Sequence, residues 1–247
     1  MIIELCASKD LRRWIDLDAP QLTRPGSPVL GGHPISSTEH VVSWQCHVIV
    51  PEEQENLAYF TVVAVQARSQ YSLLVPYLTV PSPEQLAEDL IYRWGNEMMH
   101  RMVDASVIFK EDVETVAQQY KTTPREWYWY LNSDPQLQIR AEAAEEWITG
   151  YMDAFKLEHL EEDHVIDLGR HINSQSVREG GFEPNTKAIQ GFVADGLYRF
   201  ADGLCDTAYE NTIAGAFPWP WGEAPVKLSQ RNRESNNLVS LKDYRNL

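Results

Sequence analysis

At 247 residues with 43% hydrophobic side chains, the chain is long enough to bury a substantial core, which excludes disorder over its whole length. No run approaches the roughly 20 apolar residues of a membrane helix, and the opening MIIEL lacks the basic stretch of a signal peptide. The 36 acidic against 21 basic residues give a net charge of −15, which repels nucleic-acid phosphates and attracts basic partners.

The cysteines indicate a cellular compartment. Cys6, Cys46 and Cys205 are odd in number, far apart and without a C-x-x-C pair. Free thiols are typical of a reducing compartment. We therefore expect a cytoplasmic protein.

Residues 1–81 predict a β-rich N-terminal part. The apolar run Ile2–Cys6 and a brief helix over Leu11–Leu17 precede a Pro/Gly-rich connection at 20–34. Three segments rich in β-branched and aromatic residues follow: Val41–Val50, Leu57–Val65 and Tyr71–Val80. Their connections are too short for a parallel crossover, which predicts an antiparallel meander with one buried face. Pro76 predicts an edge position or a bulge in the third strand.

After Val80 the apolar period changes from two to about three and a half, which predicts a helical part over 82–216. Helices are expected at about 83–104, 111–120 and 124–131, and a long one begins near 135 with a break near 158–163. A last helix follows the polar connection at 173–184 and ends at Gly215. A Pro/Trp segment and a polar tail occupy 217–247. Strands followed by helices predict an α+β fold, with an antiparallel meander, a helical sub-domain and an irregular tail.

Familiar catalytic patterns are missing from the sequence. It contains no G-x-S-x-G elbow, no phosphate loop of the Walker type, no G-x-G-x-x-G turn and no H-E-x-x-H. There is thus no positive reason to propose an enzyme, and we expect a non-enzymatic protein that needs no cofactor.

Two E-x-x-H matches raise the question of a metal site, because such pairs serve di-metal helical bundles. At Glu97 and His100, Arg93 and Arg101 lie four residues to either side of the glutamate, so ion pairing explains its carboxylate without a metal. The match at Glu161 leaves a metal-dependent enzyme as one alternative. Its ligands would be His159, His164, Asp167 and His171, with Glu161 at the same helical intervals.

A second set of metal-ligating residue types lies within 15 residues: His33, His40, Cys46 and His47. Cys46 and His47 are adjacent, so on a strand they point to opposite faces and cannot easily share one tetrahedral zinc.

The segment 112–131 resembles the layout of a helix-turn-helix, in which a second helix lies in the DNA major groove. The turn lacks its usual glycine, and the second helix would present aromatic rings where Arg, Gln or Asn would read bases. A DNA-binding regulator is therefore a further alternative. Its candidate contacts are Lys121, Thr122, Arg125, Tyr128 and Trp129.

Acidic residues concentrate between Glu142 and Asp167, where the sequence has nine carboxylates and only one lysine, Lys156. The predicted partner-binding residues are Glu142, Glu145, Glu146, Asp153, Glu158, Glu161, Glu162 and Asp163. Rows of carboxylates stand in for phosphates in proteins that neutralise basic enzymes, and they speed association by electrostatic steering. The favoured hypothesis is an acidic protein that binds and inhibits or regulates a basic partner, such as a nuclease, a toxin or a nucleic-acid-binding protein.

Overall fold

The computed structural model describes residues 1–23, 31–50, 59–108, 110–178, 181–184 and 187–201. The predicted Pro/Trp segment and tail over 217–247, Cys205 and the helix end near Gly215 lie outside these ranges. Over the described residues the fold is α+β, as the order of strands and helices predicts.

Five strands form one mixed sheet in the order β4-β3-β2-β1-β5. The strands are β1 (Ile2–Ala7), β2 (Val41–Ile49), β3 (Phe60–Gln66), β4 (Ser72–Tyr77) and β5 (Glu126–Leu131). The described helices are α1 (Lys9–Trp14), α2 (Pro83–Asp104), α3 (Lys110–Thr122), α4 (Pro135–Phe155), α5 (Glu162–Asn173) and α6 (Lys187–Phe200). A separate hairpin joins β6 (Gln175–Arg178) to β7 (Gly181–Pro184).

The predicted antiparallel meander is present in β2, β3 and β4, with pairs such as His47 to Val63 and Val63 to Leu74. The rest of the sheet differs from the prediction, because β1 runs parallel to both β2 and β5. The long connection from β1 to β2, which includes α1, is what allows a parallel crossover. Pro76 lies in β4 at the edge of the sheet, which confirms the edge position predicted for it.

Both faces of the central strands are buried, since every residue from Val42 to Ile49 is buried. On one face α4 and α5 form the core with the sheet; its buried members include Val63, Leu74, Ile148 and Leu168. On the opposite face the Trp14 ring of α1 lies 4.9 Å from the Phe60 ring. Strands covered on both faces read as continuous apolar runs, which explains the composition of β2 and β3.

The helix predicted over 124–131 is wrong, because this segment is strand β5. Trp127 and Trp129 alternate with Tyr128 and Tyr130, and aromatic residues suit a pleated, half-buried surface. Pairing with β1 supplies the backbone hydrogen bonds that a helix would otherwise make internally. The helix-turn-helix is therefore not formed, although its first helix exists as α3.

The described residues divide into two compact units, one within 1–93 and 125–188, and the other within 94–124 and 189–201. This division differs from the predicted succession of 1–81 and 82–216, because β5 rejoins β1 and α4 packs against β2 and β3. In the described part of the second unit, the rings of Trp94, Tyr120 and Phe200 pack edge to face. There Arg101 also pairs with Glu97 at 2.7 Å, and both side chains are fully buried.

Two helical glycines offer a matched test of packing. A Cβ on Gly95 would lie 2.5 Å from Cε1 of the buried Tyr120 ring, whereas nothing lies within 4 Å of one on Gly150. We expect Gly95→Ala to lower the free energy of unfolding by about 1–3 kcal/mol through overpacking. Gly150→Ala should raise it by about 0.5–1 kcal/mol, because alanine favours helix. Urea unfolding of both variants measures these changes; a neutral Gly95→Ala would contradict the close approach.

Candidate functional site

The carboxyl ends of the parallel strands β1, β2 and β5 carry a buried polar network. In open α/β sheets, ligands bind at this edge where neighbouring strands send their connections to opposite faces. Here the chain itself fills part of that edge. The Asn132 amide, just after β5, accepts the N–H of His33 and donates to its carbonyl, each at 2.8 Å.

Asp134 and Gln45 extend this network. One carboxylate oxygen of Asp134 caps α4 by accepting the N–H groups of Gln136 and Leu137, and the other accepts the N–H of Ile35 at 2.8 Å. The Gln45 amide donates to the Asn132 carbonyl at 3.0 Å and accepts the N–H of Asp134 at 2.9 Å. The residues at this edge thus satisfy one another, which is what burial of polar groups requires.

His47 of β2 lies beside the network, under the start of α4. Its Nδ1 is 3.0 Å from Ser8 Oγ and 2.9 Å from Gln138 Nε2, which also donates to Glu142 at 3.0 Å. An amide nitrogen only donates, so Nδ1 is the acceptor in the contact with Gln138. Burial lowers the pKa of His47, and the nearby carboxylates of Glu142, Asp10 and Glu145 oppose this shift only in part.

A serine hydroxyl against an imidazole nitrogen is also the spacing of a nucleophile and its base. Ser8, however, is only 2% exposed, and its oxygen accepts the N–H of Leu11 at 3.2 Å as the cap of α1. The Ser8 hydroxyl is thus a buried helix cap that a substrate does not reach. This pair explains the position of α1, and it gives no support to hydrolysis.

The acidic residues predicted to bind a partner all lie at the surface of α4, the connection after it and the start of α5. We call this set the acidic face; it comprises Glu142, Glu145, Glu146, Asp153, Glu158, Glu161, Glu162 and Asp163, all exposed. Glu162 lies 3.7 Å from Arg93, and Glu161 lies 4.0 Å from His159. Four members of the face form no ion pair with any described residue: Glu145, Glu146, Asp153 and Glu158.

The residues predicted as alternative metal ligands have separate local contacts; that of His159 with Glu161 is given above. The His164 Nδ1 accepts the N–H of Glu161 at 3.2 Å in a capping box at the start of α5. The His171 ring packs edge to face on Trp147 with centroids 4.4 Å apart, and Asp167 lies 4.0 Å from Arg170. No group of three or more His, Cys, Asp or Glu able to hold a metal occurs among the residues that the structure describes.

The other E-x-x-H match behaves as an ion pair at its glutamate. Arg101 donates from Nε and Nη2 to one oxygen of Glu97, at 3.0 and 2.7 Å. This confirms the predicted ion pair for Arg101. Arg93, the second predicted partner, has its guanidinium 3.7 Å from the Glu162 carboxylate.

The residues predicted to contact DNA do not share a recognition helix. Lys121 and Thr122 are exposed in the last turn of α3, whereas Tyr128 lies on β5. Arg125 lies between the two elements and is partly buried. Trp129 is buried and donates its indole N–H to the Pro83 carbonyl at 3.1 Å, so it serves packing.

Comparison with known proteins provides no further guidance: no protein-family model, no curated protein and no solved structure matches this chain. None of the helices in the described ranges is long and apolar enough to cross a membrane.

Burial of His47 predicts a specific dependence of stability on pH. Its pKa in the folded state lies below the value near 6.5 of the unfolded chain, so the unfolded state binds more protons as the pH falls. His47 therefore contributes full stability above about pH 6.5 and loses it as the pH falls from there towards the folded pKa.

We expect unfolding free energies at about pH 7.5 and about pH 5.5 to differ more in the wild type than in His47→Gln, by up to about 1 kcal/mol. Urea unfolding at both pH values measures the difference. His159→Gln, at an exposed histidine, serves as the control and should keep the wild-type dependence. An unchanged pH dependence in His47→Gln would show that other groups carry it.

Proposed function

We propose that this protein binds a basic protein partner through the acidic face and thereby inhibits or regulates it. The single observation that carries the proposal is the exposure of all eight carboxylates of that face. The partner would be a nuclease, a toxin or a nucleic-acid-binding protein whose own phosphate-binding surface the carboxylates occupy.

Burial along α4 supports this assignment. Leu137, Ala144, Ile148 and Met152 are buried on its inner side, and its acidic residues lie on the exposed outer side. The helix is held at its start by the Asp134 cap and along its length by packing on β2 and β3. A helix backbone that packing already holds in place does not have to be ordered when a partner binds, which favours specific association.

The local charge also supports the proposal. Glu145 and Glu146 lie one turn after Glu142, and no described cation pairs with either of them. Uncompensated like charges on one helix repel each other, so they weaken an isolated helix slightly. A cationic partner would relieve that repulsion and add electrostatic steering.

The test removes the charge of three carboxylates of the acidic face and keeps the shape of their side chains. We expect Glu142→Gln, Glu145→Gln and Glu146→Gln together to reduce capture of a basic partner from the native host at least about tenfold at low salt. The matched control carries the same charge change elsewhere, at exposed Glu84, Glu88 and Glu114. Quantitative mass spectrometry of both triple variants and the wild type gives the comparison.

The captured protein is then purified and its affinity measured by calorimetry at low and high salt. The wild type and the control should bind alike, and both should weaken as salt screens the charges. If the acidic-face variant retains the partner, or if both triple variants lose it equally, the face is not the binding surface.

A further inference from the structure

The two edges of the sheet are closed to different extents. At the β4 edge, the buried Asn173 amide accepts the N–H of Ser72 at 2.7 Å and donates to its carbonyl at 2.8 Å. Two residues beyond Leu74, Pro76 has no N–H to offer. The edge is thus blocked on both sides of Leu74, by an amide that acts as a neighbouring strand and by a proline.

The β5 edge is blocked only at its end. The Leu131 N–H donates to the Pro20 carbonyl at 2.8 Å, and the Leu131 carbonyl accepts the N–H of Leu22 at 3.1 Å. Glu126 instead donates to Met1, next to β1, at 3.1 Å. The backbone N–H and carbonyl groups of the even-numbered residues of β5 therefore point towards β1, and those of the odd-numbered residues point away from it.

By this alternation the backbone groups of Trp127 and Trp129 point away from β1. Among the residues that the structure describes, neither backbone N–H nor carbonyl of these two has a hydrogen-bond partner. The strand has no lysine or proline, the usual protections of an exposed edge.

We propose that a second copy of this chain pairs with β5, strand against strand and antiparallel, about a two-fold axis at Tyr128. In this register Trp127 of one copy lies opposite Trp129 of the other. These two residues would then exchange both N–H to carbonyl bonds, so every unpaired outward group of both strands gains a partner. The contact joins two five-stranded sheets into one.

The side chains fit the same register. Tyr128 is 46% exposed and would meet its own copy in a non-hydrogen-bonded pair, where side chains approach most closely. Trp127 and Trp129 would form aromatic cross-strand pairs, which stabilise sheets. The segment at 20–22, already bonded to Leu131, limits the pairing to the strand before it.

Net charge sets the conditions under which this dimer forms. Each copy carries −15, so the copies repel at low ionic strength, and salt should strengthen the association. This response is opposite in sign to that of the acidic face with a basic partner, and the dimer does not depend on the proposed function.

The experiment places charges on the two-fold axis. Tyr128→Lys and Tyr128→Glu each set like charges opposite each other, and an equimolar mixture sets opposite charges there. Sedimentation velocity should show a concentration-dependent dimer for the wild type, and a dissociation constant raised about tenfold for each variant alone. The mixture should restore the dimer, and Tyr92→Lys, at another exposed tyrosine, should behave as wild type.

Disulfide formation provides an independent measurement. In a background with Cys205 changed to serine, where Cys6 and Cys46 are buried, Tyr128→Cys should cross-link on oxidation, because this type of cross-strand pair has a suitable Cα spacing. Tyr92→Cys should not. A wild type that stays monomeric at all salt concentrations overturns the proposal. So does a dimer that survives Tyr128→Lys, or a mixture that fails to restore association.

Discussion

The parallel pairing of β1 with both β2 and β5 is the constraint on which the rest of the first unit depends. It places the N-terminal strand inside the sheet, between β2 and the edge strand β5, which comes from far along the chain. Central parallel strands must be covered on both faces, which assigns α1 to one side and α4 with α5 to the other. It also brings together the strand ends that carry Ser8 and Asn132.

At those ends, burial removes backbone polar groups from water, and they need hydrogen-bond partners within the protein. A crevice at the carboxyl edge of parallel strands leaves backbone groups in need of partners, and here side-chain amides supply them. Asn132 and Asp134 bind the backbone of the 31–35 segment, and Gln45 bonds to both of them. Asp134 also caps the start of α4. The Asp134 cap belongs to this network and fixes where α4 begins. The buried network therefore helps to set the orientation of the helix that carries the exposed carboxylates.

Charge is handled differently in the two units. In the described part of the second unit, Glu97 pairs with Arg101 and Asp195 with Arg199, all four side chains buried. Buried carboxylates need partners because an uncompensated buried charge is costly. The acidic face meets no such demand, since water solvates its carboxylates. The carboxylates of the acidic face therefore add to the negative charge of the surface.

Local sequence pattern is enough to predict the α+β class, the meander of β2 to β4, helix α2, the break between α4 and α5, and the edge position of Pro76. These depend on periodicity, caps and short connections, which neighbouring residues settle among themselves. The strand at 126–131 follows instead from tertiary pairing, since a short aromatic segment adopts an extended conformation when a neighbouring strand such as β1 can pair with it. The network of Gln45, Asn132 and Asp134 was equally hidden, because its members are separated by up to 89 residues and meet only when the parallel strands pair.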